Sequence, residues 1–174
     1  MATVRVDDTL LGIYLNDHLA GATAGAELAE RVAAENRDRA DGQEFRRLAA
    51  EIAEDRAALL DLMATLDVPV RYYKVLLGWL GEKVGRLKPN GRILTQSPLS
   101  RVIGLEALRL GIEGKTALWR SLRDHAEVDS RLRTERLDEL LDRARRQGAT
   151  VEGFRSRAVT EAFRVDAKPP GGSA

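Results

Sequence analysis

The sequence predicts an all-α fold, a bundle of four long helices, on three observations. Alanine, leucine, arginine and glutamate, all strong helix formers, dominate the 174 residues. Valine, isoleucine, threonine and the aromatics (5% of the chain) are too thinly spread to build several strands. Along four stretches the apolar residues recur at steps of three and four, the period of a helix with one buried face.

The first helix begins after Asp7 or Asp8, either of which can cap it, and runs to about Asn36. Its apolar stripe is Leu11, Tyr14, Leu15, His18, Ala22, Gly25, Leu28, Ala29 and Val32. The polar run 37–42, RDRADG, turns the chain into a second helix over Gln43 to Leu66. There the stripe is Phe45, Leu48, Ile52, Asp55, Leu59, Leu62 and Leu66, alternating steps of three and four, and the two helices form an antiparallel hairpin. Prolines and glycines punctuate the segment 67–97, which holds a short amphipathic helix over Arg71 to Leu87 and an Asn90-Gly91 turn. Ser97 followed by Pro98 reads as a cap with proline at the first helical position, opening a third helix that runs to about Glu127. A fourth spans Ser130 to Val165, with Leu137, Leu140, Leu141, Ala144, Gly148, Val151, Ala158 and Ala162 facing inward.

Residues 1–165 are thus expected to form a single domain, and 166–174, which end in PPGGSA, a disordered tail. Two short links and one long one set the topology. The long segment 67–97 can cross the bundle end to end and leave the second and third helices parallel, or fold back and give an up-down-up-down bundle.

A balance of 28 basic and 27 acidic side chains excludes nucleic-acid binding by bulk electrostatics. With no cysteine there is no disulfide, thiolate nucleophile, iron–sulfur cluster or cysteine zinc site. There is neither a P-loop nor a dinucleotide fingerprint; the run AGATAGA at 20–26 follows no strand and reads as small residues that let a neighbouring helix approach. The first eight residues lack the apolar core of a signal peptide, and no apolar run approaches the roughly 18 residues of a membrane span. The expected compartment is the cytoplasm.

Three stretches, LNDHLAGATAGAELAERVA at 15–33, LAAEIAEDRAALLDLMATL at 48–66 and SPLSRVIGLEALRLGIEGKTALWRSL at 97–122, resemble the ferritin-like superfamily, in particular an uncharacterised actinobacterial-type branch. The resemblance implies a four-helix bundle with one long crossover. It also implies a di-metal centre of iron or manganese built from Glu on the first and third helices and Glu-x-x-His on the second and fourth. Neither Glu-x-x-His is present. Glu106 matches the third-helix position, Glu51-Ile52-Ala53-Glu54 and Glu139-Leu140-Leu141-Asp142 keep the offset without His, and His18 stands where the first helix would carry Glu. His18 to Glu51 and Glu106 to Glu139 are equally spaced, yet Glu139 and Asp142 fall away from their stripe whereas Asp55 lies within its own.

Four polar residues are read on inner stripes: His18, Asp55, and the pair Glu106 and Glu113 on a third-helix face made by Leu99, Val102, Ile103, Leu110 and Ala117. Two readings are open. In one, His18, Asp55, Glu106 and Glu113 converge on iron, manganese or zinc. In the other they form a buried polar network with Arg155, whose cation takes the place of a metal's charge. Leu105, Leu108, Ile112 and Trp119 form a second apolar face on the same helix, suited to the crossover helix or to a second subunit in a homodimer. His125, near the end of that helix, complements its dipole.

The crossover helix carries Arg71, Lys74, Lys83 and Arg86 against Glu82, with Trp79 on its apolar side. Such a helix can cover the bundle, dock a partner, or lie on an anionic membrane as a peripheral contact. No nucleophile constellation is present. The expectation is a non-enzymatic ferritin-like bundle whose di-metal site has given way to a buried polar network, with an iron- or manganese-binding oxidase or iron-handling protein as the alternative.

Overall fold

A computed structural model describes residues 8–71 and 98–164. The expected crossover helix, with Lys74, Trp79, Lys83 and Arg86, lies outside the described residues, as does the expected tail. The described residues form four helices and no strand: α1 (Asp8–Glu35), α2 (Gly42–Thr65), α3 (Pro98–His125) and α4 (Thr134–Ala162).

Local chemistry explains where the helices stop. Between α1 and α2 a β-carbon on Gly42 would lie 2.5 Å from the Arg37 carbonyl oxygen and 2.8 Å from that of Asn36, so only glycine fits. Asn36 is buried and donates to the Val32 carbonyl at 2.7 Å. At the end of α2, Asp67 takes the left-handed conformation (φ 55°), and the amides of Asp67 and Val68 donate to the carbonyls of Ala64 and Met63. This is a Schellman closure with aspartate in glycine's usual place. α4 starts at Thr134, later than its periodicity predicts, because the Asp129 carboxylate accepts from the Arg131 amide and guanidinium and holds a turn there. The same guanidinium donates to the Leu66 carbonyl at 3.2 Å, tying this turn to the end of α2.

Specific contacts give the helix directions. The Tyr14 hydroxyl donates to Ser121 and Val32 packs beside Gly104, so α1 and α3 are antiparallel. The Arg101 guanidinium lies 5.8 Å from the Phe45 ring centre and Lys115 meets Asp55, so α2 and α3 run parallel. The end of α2 and the start of α3 therefore lie at opposite ends of the bundle. Phe45 stacks on Phe154 and Asp55 meets Gln147, making α2 and α4 antiparallel. Backbones pack closely in the pairs α1–α2, α1–α3 and α3–α4. α2 and α4 meet through long side chains.

The core has two apolar parts. One centres on Leu15, Leu59, Met63, Trp119 and Leu137, the other on Phe45, Ile52, Leu105, Ile112 and Phe154. Asp55, Lys115 and Gln147 fall between them along their helices.

The α2 stripe is buried throughout, Asp55 included. The inner face of α3 is not the one chosen from periodicity. Val102, Leu105, Leu108, Ile112, Trp119 and Leu122 point inward, while Leu99, Ile103 and Leu110 are 50%, 50% and 73% exposed. Of two candidate faces, the one that keeps its three–four stepping from Leu105 through Trp119 to Leu122 can stay on the bundle axis for the whole helix. The face offered above to a crossover or a second subunit is thus the core face.

Candidate functional site

Unbroken helices bring Asp55 from α2, Lys115 from α3, and Arg143 and Gln147 from α4 together in the middle of the bundle. Asp55 is 2% exposed and Gln147 1%. One Asp55 oxygen accepts from Lys115 Nζ at 2.5 Å and from Gln147 Nε2 at 3.0 Å. The Gln147 carbonyl oxygen accepts from the same Nζ at 2.5 Å, closing a three-membered ring of hydrogen bonds. The other Asp55 oxygen faces Arg143 Nη2 at 2.5 Å, an ion pair without hydrogen-bond alignment. Arg143 also donates to the outer carboxylate of Glu54 at 2.9 Å. Burial pushes the Lys115 pKa down, and Arg143 adds to that; the Asp55 carboxylate opposes it.

Of the inner-stripe residues read from sequence, only Asp55 belongs to this layer; Glu51 and Glu54 touch it from its outer side, Glu51 at 3.5 Å from Gln147 Nε2 and Glu54 on Arg143. Glu106 and Glu113 are 53% and 57% exposed, since they lie on the outer side of α3. Glu113 pairs with Arg109, and Arg155 with Glu152 at 2.6 Å; Arg155 comes no nearer to Glu106 than 4.0 Å. His18 is half-buried, edge-on to Tyr14 with ring centres 4.5 Å apart. Its stripe is rotated outward because Leu15, Leu19, Ala29 and Ala33 form the centre of the α1 core face. Arg71 uses its backbone amide, donating to Asn16 at 2.7 Å.

Lys115, Arg143 and Gln147 carry the layer with Asp55, and sequence reasoning passed over all three. Lys115 continues the steps Leu108, Ile112, and Gln147 stands between Ala144 and Val151, so each occupies a stripe position filled by a polar residue. Lysine escapes notice because its apolar stem can cross a core while its ammonium finds a partner.

This donor set does not fit a di-metal centre. It offers one buried carboxylate and one carboxamide, and two cations already pair with that carboxylate. Among the described residues no group of three or more His, Asp or Glu could hold a metal.

Beside the layer lies a cavity of about 420 Å³ between α1, α2 and α3, reached by Asp55, Lys115, Arg56, His18 and Trp119. Its walls include Gly21 and Gly25 of α1 and Gly111 and Gly114 of α3. A β-carbon at any of the four would meet nothing within 4 Å among the described residues. The expected close approach of a helix to the run 20–26 is therefore not made among the described residues at either glycine. Each mid-helix glycine costs about 0.8–1 kcal/mol relative to alanine. Arg56 donates to the Thr23 hydroxyl at 3.0 Å.

Burial lowers the His18 pKa below 6.5, with the Asp17 charge opposing the shift. Below about pH 6.5 the unfolded chain therefore takes up this proton more readily than the folded one, and stability falls on acidification; above that range His18 contributes nothing. Urea unfolding at about pH 7.5 and about pH 5 is expected to show a smaller acid loss for His18→Gln than for the wild type. An equal loss in both would dismiss His18 as a contributor.

No helix among the described residues is long and apolar enough to cross a membrane. No protein-family model, curated protein or solved structure matches the chain.

Proposed function

We propose that this chain is a ferritin-like bundle with one long crossover, in which a buried ion-pair network stands in place of a di-metal centre, and that it works by binding rather than by catalysis. Two features support the topology: α2 and α3 are parallel, and they are joined by the long segment 67–97. The observation that carries the functional reading is the position of Lys115 Nζ, 2.5 Å from both Asp55 and Gln147. An ammonium there supplies the positive charge that a metal would bring, and repels a divalent ion from the one buried carboxylate within reach.

Elemental analysis of protein purified without chelator tests this. Iron and manganese are expected well below one equivalent per chain, and unchanged in His18→Ala and Glu106→Ala. Stoichiometric iron or manganese that either substitution removes would establish the metal-binding alternative and end the proposal.

A further inference from the structure

We propose that the cavity between α1, α2 and α3 is a binding site for a small carboxylic acid with an apolar body, its carboxylate held by Arg56. The inference does not depend on whether the polar layer excludes metal. A volume of about 420 Å³ falls within the range of small-molecule sites, roughly 300–1,000 Å³. Leu28, Ile52, Leu108, Leu118 and the glycine walls supply an apolar lining. Four mid-helix glycines, each with no described neighbour where a β-carbon would stand, widen this one cavity from both sides.

Charge selects the ligand's head. Arg56 donates to Thr23 and has no acidic partner among the described residues, so no described carboxylate occupies its guanidinium. His18 makes a ring contact with Tyr14 and no hydrogen bond among the described residues. Lys115 spends two N–H groups on Asp55 and Gln147, and a lysine ammonium has three. Two acids also line the cavity. Asp55 is neutralised by Lys115 and Arg143, and Asp17 is exposed. An anion meeting Arg56 inside a low-dielectric wall gains a charge-assisted hydrogen bond that a neutral molecule of the same shape does not.

The test is calorimetric titration of the full-length chain with octanoate and, in parallel, with 1-octanol. Saturable one-site binding of octanoate is expected, with octanol at least about tenfold weaker. Arg56→Met is expected to weaken octanoate by about tenfold or more and to leave octanol unchanged. Gly111→Leu, which fills the cavity from an open position, is expected to abolish binding of both while the helical circular-dichroism spectrum is retained. Three results would each overturn the proposal: no saturable octanoate binding by the folded wild type, as when another part of the chain fills the space; equal affinity for acid and alcohol; or unaltered octanoate binding by Arg56→Met.

Discussion

Asp55→Ala is expected to lower the unfolding free energy by about 3–5 kcal/mol, a large share of the 5–15 kcal/mol typical of a whole domain. The carboxylate is 2% exposed and is the only acid among the described residues that touches both partly buried cations, Lys115 and Arg143. Without it, two positive charges face each other across a vacated space between two apolar clusters, and Gln147 loses an acceptor. The opposite deletion is not symmetric. Lys115→Met leaves Asp55 with Arg143 and the Gln147 amide, and replaces a partly desolvated ammonium with an apolar chain of similar length. It also leaves the buried Gln147 carbonyl without this donor, so its cost is expected to be smaller, about 1–3 kcal/mol. Urea unfolding followed by circular dichroism measures both. A loss below about 1 kcal/mol for Asp55→Ala, the range of an exposed pair, would show that the layer is hydrated and is no core network.

The contrast between α2 and α3 shows what a sequence reveals of such a bundle. α2 has one apolar stripe with a single polar intruder, so periodicity identifies both the buried face and Asp55. α3 has apolar residues on two sides, and a choice between them rests on where neighbouring helices stand, which no local pattern contains. Placing Glu106 and Glu113 inward followed from choosing the side of Leu99 and Leu110; the side of Leu105 and Trp119 brings Lys115 inward instead. The cation that answers Asp55 is not the expected Arg155. It comes from Lys115 and Arg143, while Arg155 is held on the surface by Glu152, three residues away on the same helix. The cavity was not legible, because glycine in a helix reads equally as close packing or as open space until the neighbouring helices are placed.

Phe154→Ala is expected to cost about 3–5 kcal/mol, the range for removing a fully buried aromatic ring. Phe154 is 1% exposed and stacks on Phe45 with ring centres 3.9 Å apart and planes 18° from parallel. These rings span α2 and α4, the neighbours whose backbones do not pack closely, so no nearby backbone can move in to fill the space left behind. Arg157 lies over the Phe154 ring at 5.1 Å and Arg101 over Phe45 at 5.8 Å, and truncation of Phe154 removes the surface on which Arg157 rests. A double-mutant cycle separates the ring–ring contact from simple burial. Phe45→Ala and Phe154→Ala together are expected to cost less than the sum of the single losses by about 0.5–1.5 kcal/mol, because the first truncation already forfeits the stacking. Strict additivity would mean that the rings act only as separate apolar fillers.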